Sequence, residues 1–288
     1  MLSLELGETI GNGLTRIARA TLDCAIEHLA ESPADVHNAR KRFKELRAVL
    51  RLGRYAIEPR FAEIDQSLHD AGSELATRRD ADARLATIAS LREFARDRAE
   101  RQALSRIRRI LSADQSAAPN IAGVVQHLSA TRLLLAFDGG PEALERGLQR
   151  TYRAGRRQAR AASSERTPAA IHAWRKQVKY LWHQAQFLEQ VWPKVLKPHI
   201  AALDDLSHLL GEHHDLFALA TLIDEDRKRI GDTTALRIAA VVIRRIEEIE
   251  PAAFRIGTLV FAEVPRGWSA RLVQYWRAWT QIDEAIVD

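Results

Sequence analysis

Apolar residues recur three and four positions apart along nearly the whole chain, as in Ile10, Leu14 and Ile17 and again in Leu22, Ile26 and Leu29. That spacing returns to one face of an α-helix every turn. The alternation that marks a half-buried strand is scarce. Helix breakers fall at Glu31-Ser32-Pro33, around Glu58-Pro59, at Ser112–Asn120, at Gly139-Gly140-Pro141, at Ser163–Pro168, at Trp192-Pro193, near Gly231-Asp232 and at Pro251. The segments between them run to roughly 15–25 residues, the length of bundle helices. The pattern predicts an all-α protein of about ten to twelve helices, with too many breaks for one long coiled coil.

Within this pattern one stretch returns. His37-Asn38-Ala39-Arg40-Lys41-Arg42-Phe43-Lys44-Glu45-Leu46 and His172-Ala173-Trp174-Arg175-Lys176-Gln177-Val178-Lys179-Tyr180-Leu181 both read H-x-x-R-K-x-x-K-x-L, 135 residues apart. The same offset joins Asp70 to Asp205, Asp80 to Asp215, Ala83 to Ala218 and Ile88 to Ile223. Lysine is rare, seven in 288 residues, yet four lysines sit at the two repeated motif positions. Two separated matches at one offset point to a duplicated unit. The half-repeats are placed at about 8–140 and 141–280.

Charge changes the picture more than composition does. The whole chain carries only +5. Residues 36–54, however, hold seven Lys or Arg and one acid, and residues 146–188 hold ten and one. On a helical wheel Arg40, Lys41, Lys44, Arg47 and Arg51 fall within about 80° of His37, opposite Phe43, Leu46, Val49 and Leu50. Arg175, Lys176, Lys179 and His183 fall within about 60° of His172, with Trp174 and Val178 behind. Arg146, Arg150, Arg153, Arg157 and Arg160 make a third stripe, with Arg156 just beside it and Tyr152 facing away. Ordinary solvated faces mix signs, because like charges at i,i+4 repel by roughly 0.2–0.5 kcal/mol a pair. Three unmixed cationic stripes therefore suit a polyanion. Aromatics that would stack bases are nearly absent from these faces, so phosphates without bases fit better than nucleic acid. Arginine offers forked donors to phosphate and lysine a point charge. A nearby phosphate would raise the histidine pKa values toward the charged form.

At this point the residues resemble the CHAD family, the conserved histidine α-helical domain, over roughly 8–280. Besides the paired motif, Thr151-Tyr152-Arg153-Ala154-Gly155-Arg156-Arg157 resembles the basic helix before the family's second histidine helix. Leu210-Gly211-Glu212-His213-His214-Asp215-Leu216 resembles its L-G-x-x-H-D-L segment, with Arg78-Arg79-Asp80 as half-repeat counterpart. Phe261-Ala262-Glu263 through Tyr275-Trp276 resembles its C-terminal helix. The resemblance implies two pseudo-symmetric bundles around a basic central channel that binds inorganic polyphosphate. It also raises association with polyphosphate granules. No E-x-E-x-K motif of the often-fused CYTH domain occurs, so a stand-alone member is expected. Ala76 replaces Gly211 in the first half, so roles need not transfer between halves.

Other chemistries are weaker. His213-His214-Asp215 brings to mind a metal-dependent phosphohydrolase, but the remaining ligands are not recognisable, and Asp80 and Asp215 suit basic partners or helix caps better. His208, Glu212 and His213 miss both zincin spacings, and there is no Walker A loop or G-x-S-x-G elbow. Gly11-Asn12-Gly13 reads as turn chemistry, Cys24 as packing, and Trp276 and Trp279 as core. His28, His69, His127 and His199 show no constellation. One cysteine excludes a disulfide framework. Met1–Glu5 lacks the regions of a secretory signal, and no apolar run could span a bilayer. The expectation is a cytoplasmic, non-catalytic polyphosphate binder without cofactor, metal or membrane contact. A phosphohydrolase and an RNA-binding protein stand as alternatives.

Overall fold

The computed structural model describes residues 2–112 and 120–284, with side chains described except at 76–82 and 283–284. Among the described residues the chain forms thirteen α-helices and no strand. They are α1 (Ile10–Ala30), α2 (Val36–Leu52), α3 (Arg54–Ile57), α4 (Phe61–Glu74), α5 (Ala76–Leu91), α6 (Arg98–Ser112) and α7 (Ile121–Leu134). The second half adds α8 (Pro141–Glu165), α9 (Pro168–Phe187), α10 (Pro193–Glu225), α11 (Arg227–Ile230), α12 (Asp232–Val260) and α13 (Pro265–Glu284). The number exceeds the expected ten to twelve partly because α3 and α11 are single turns.

Most boundaries follow side-chain chemistry. Thr9, Asp35 and Thr167 accept hydrogen bonds from the backbone of Asn12, Asn38 and Ala170 and so cap α1, α2 and α9. Pro141, Pro168 and Pro193 open α8, α9 and α10, where their missing N–H costs nothing. Gly231 takes φ +89° between α11 and α12. The Gly11-Asn12-Gly13 stretch is close packing rather than turn chemistry: a Cβ on Gly11 would lie 2.7 Å from the Phe137 carbonyl oxygen.

Three boundaries differ from expectation. Pro251 does not break its helix, since α12 runs through it to Val260. An interior proline costs about 3 kcal/mol. Anchors on both sides offset it here: buried Ile249 and Ala253, the Trp174–Phe254 stack at 5.4 Å, and Gly257, whose missing side chain admits the Trp174 ring. Conversely, α4 and α5 part at Leu75 and α6 starts afresh at Arg98, with neither glycine nor proline at either point. The second start did carry a signal. Asp97 accepts the Glu100 N–H at 2.8 Å and Glu100 accepts the Arg96 N–H at 2.8 Å, which is close to a capping box.

The helices pack α1 on α2 and α8 on α9, with α7 against α1 and α13 against α8. The two motif helices, α2 and α9, pack on each other; so do α6 and α12, and α5 and α10. Two cores result. The larger takes α1, α2, α4, α7, α8, α9, the start of α10, the end of α12 and α13. The smaller takes α5, α6, the second half of α10 and most of α12. Each core therefore draws on both the 8–140 and the 141–280 stretches. Gln184, fully buried on α9, donates to the Ala48 carbonyl and to Thr151 Oγ1, tying α9 to α2 and α8. Tyr152, 0 % exposed, stacks on Trp268 at 4.6 Å and donates to the Val260 carbonyl. Burial pushes its hydroxyl up to about 12.

Candidate anion-binding site

The N-terminal end of α2 and the middle of α9 converge on a cleft of about 770 Å3, closed by α5 and α10. Three predicted residues line it together: His37 from the first motif, and Arg175 and Lys179 from the second. Gly211 lies opposite Arg175, with room for the guanidinium across α10. The α5 wall is small and nearly neutral, with Ala83, Ala86, Thr87 and Ser90 returning at helical spacing. Ser207 also faces the cleft; it is 1 % exposed, and its hydroxyl has no hydrogen-bond partner among the described residues. A buried hydroxyl without a partner is costly, so a polar guest is favoured beside it.

The remaining cations of α2 divide. Lys41 is exposed, while Lys44 and Arg40 are half-buried, and Arg40 donates to the Gly72 carbonyl on α4. Arg47 and Arg51, placed by the wheel on the binding face, instead grip one carboxylate. Arg47 reaches Asp65 at 2.7 and 3.3 Å, and Arg51 reaches it at 2.9 and 3.0 Å. Burial alone would push the Asp65 carboxyl up, but hydrogen bonds from both arginines leave it below the usual range. Arg51 also lies 4.2 Å over the Tyr180 ring. Glu45, the one acid of this stretch, is buried on the other side and pairs with Arg42 at 2.6 Å.

On α9, Lys176 is exposed and His172 is half-buried, its Nδ1 3.2 Å from Nδ1 of His214 on α10. Burial, then Arg175 and Lys176, hold His172 below its ordinary pKa. The rise expected beside phosphate thus has no counterpart in the protein alone. His183 is a correction. It lies in the core, 2 % exposed, and burial, then Lys179, push it down to about 3. It is a neutral packing residue, because the groove between α2 and α9 covers the far end of the wheel face. His213 is buried too and bonds Glu250 on α12 at 3.0 Å, while Arg166 holds the other Glu250 oxygen at 3.1 Å. Glu212 pairs with Arg245 at 2.5 and 2.9 Å. Asp215 lines the cleft; the Arg78-Arg79-Asp80 counterpart lies outside the described side chains.

The α8 stripe does not join this cleft. Arg150, Arg153 and Arg157 are exposed and line a separate depression of about 240 Å3 with Tyr55 and Arg146. Arg146 covers the Tyr55 ring at 3.8 Å. Arg160, also exposed, is outside the depression.

A family model of the CHAD domain matches residues 16–224. The chain belongs to the CHAD family. The match takes in both motif helices, the α8 arginines and the Leu210–Leu216 segment. No curated protein matches the sequence. No helix among the described residues is long and apolar enough to cross a membrane.

Sequence reasoning missed Asp65, Ser207 and the α5 wall. Asp65 and Ser207 carry no local signal, since their roles depend on partners far away in the chain. The wall had one, in the small residues spaced along α5.

Proposed function

We propose that this CHAD protein binds inorganic polyphosphate and catalyses no reaction on it. The observation that carries the reading is the meeting of His37, Arg175 and Lys179, from both motifs, in one cleft with the unpartnered hydroxyl of Ser207. The family membership supports it. The 135-residue offset and the packing of α2 on α9 support reading the cleft as part of a basic channel between two copies of one unit.

No Phe, Tyr or Trp side chain among the described residues lines the cleft, and Arg146 covers one face of the Tyr55 ring in the α8 depression, so stacking platforms for bases are scarce. That favours a phosphate chain over RNA. His213 and His214 are hydrogen-bonded to Glu250 and His172, which weighs against a metal-dependent phosphohydrolase. The binding set is His37, Lys41, Lys44, His172, Arg175, Lys176 and Lys179, with the α8 arginines as a second contact. Arg40, Arg47 and Arg51 hold α2 to α4. A cytoplasmic place on polyphosphate granules follows from the same reading.

Lys44→Glu with Lys179→Glu should weaken binding of long-chain polyphosphate by about 100-fold or more while helicity by circular dichroism stays intact. Undiminished binding refutes the proposal. Polyphosphate should also displace RNA at far lower concentration than the reverse, and equal potency would favour the RNA reading. Phosphate release with Mg2+ or Mn2+ that disappears in His214→Ala would establish a hydrolase instead.

A further inference from the structure

Beside the cleft, a second cluster involves a residue that the anion-binding reading leaves unexplained. Asp35 lines the same cavity as His37, Arg175 and Lys179. Its carboxyl is held below the usual range first by the backbone N–H of Asn38 and then by the Asn38 side chain, so it is charged at neutral pH. A carboxylate facing a phosphate chain repels it unless a cation lies between them.

The chain around Asp35 supplies the donors for one. His28 lies in the last turn of α1, Glu31 is the residue that ends that helix, and Asp35 caps α2. The Asp35 N–H donates to the His28 carbonyl at 2.8 Å, folding the connection back so that the three side chains meet. One donor atom from each lies within 4.8 Å of the other two. An imidazole nitrogen with two carboxylates is a donor set for Mn2+ or Zn2+ rather than for a soft ion. The C-terminal end of α1 adds the negative end of its dipole. Asp35 is the member of the trio that lines the cleft, where the unpartnered Ser207 hydroxyl, 1 % exposed, also calls for a polar guest.

We infer that His28, Glu31 and Asp35 hold one divalent cation at the rim of the cleft, and that this ion bridges Asp35 to an oxygen of the bound phosphate chain. The ion site stands on its own residues, whereas the bridge rests on the polyphosphate reading. Without the ion, His28 and Glu31 are an ordinary 3.0 Å pair and Asp35 only a helix cap.

The test uses the full chain in two steps. MnCl2 is first titrated without phosphate, by calorimetry and by the electron paramagnetic resonance of free Mn2+. One ion per chain is expected, and His28→Ala or Glu31→Gln should each weaken it about tenfold or more. Both variants spare the Asp35 cap, and thermal melting checks that they fold. No Mn2+ uptake by the wild type up to about 1 mM, roughly 4 kcal/mol of binding, overturns the ion site; so does equal uptake by the variants. Long-chain polyphosphate is then titrated with and without Mn2+. The ion should tighten binding about fivefold in the wild type and less than about twofold in the double variant, with metal-free affinity the same in both. An equal gain in both proteins means that Mn2+ acts on the polyphosphate alone and overturns the bridge. If polyphosphate fails to bind under any condition while Mn2+ still does, the functional reading and the bridge fall and the ion site stands.

Discussion

The two H-x-x-R-K-x-x-K-x-L helices share their opening turns and then diverge, and the divergence separates cations that line the cleft from cations that clamp a carboxylate of the fold. Beyond the shared positions α2 carries Arg47 and Arg51, which close on Asp65 of α4. At the same offset of 135 residues the other half has Trp182, Gln186 and Ile200. Ile200 is buried, and Trp182 packs against the core beneath the Lys179 ammonium at 4.9 Å. A polar three-residue clamp in one half thus stands where the other has two apolar residues and a glutamine. The extra arginines of α2 arrive with their own carboxylate, as a structural pair must. Arg175 and Lys179, at the repeated positions, line the cleft. The histidines diverge as well: His37 is exposed at the cleft, whereas His172 leans on His214.

If the clamp belongs to the fold, removing its acid should hurt stability first. Asp65→Ala leaves two half-buried guanidinium groups without their carboxylate. It should cost about 2–4 kcal/mol in urea unfolding, allowing for partial exposure, with polyphosphate affinity nearly unchanged. A loss below about 0.5 kcal/mol would make the clamp ornamental.

His183 sharpens the contrast along α9, since a wheel position shared with the cations turned out to be core. Its pKa is depressed, to about 3, from an unfolded value near 6.5. Above pH 6.5 both states are neutral and the stability is fully present. Between pH 6.5 and 3 the unfolded chain takes up the proton and the native state does not, so stability falls by on the order of 1 kcal/mol per pH unit. His183→Gln should flatten that part of a melting-against-pH profile; an unaltered slope would place the histidine in water.

The smallest effect belongs to α8. Arg153→Ser with Arg157→Ser removes two exposed charges from the separate depression. It should weaken polyphosphate binding by only about three- to tenfold, shift stability by less than about 0.5 kcal/mol, and lower the salt dependence of binding. A loss as large as that from the cleft would make α8 the main site.

The fold class, the capped and proline-led helix starts and the two motif helices were all legible in the sequence, because they depend on neighbours within a few residues. Pro251 misled because its cost is local while the Trp174, Phe254 and Gly257 packing that offsets it comes from another helix. Leu75 misled in the opposite sense, ending a helix without a breaker. A wheel ranks faces without knowing what covers them, so it placed His183, Arg47 and Arg51 with the binding cations. Asp65 and Ser207 became visible only when distant elements met.

The contrast between the two kinds of cation can be measured directly by titrating long-chain polyphosphate into Arg175→Gln/Lys179→Gln and, alongside, into Arg47→Gln/Arg51→Gln, both confirmed as folded at the temperature used. The account predicts a loss of about 100-fold for the first pair and less than about threefold for the second, which should instead melt earlier. Equal losses, or a larger loss in the Arg47 and Arg51 pair, would contradict it.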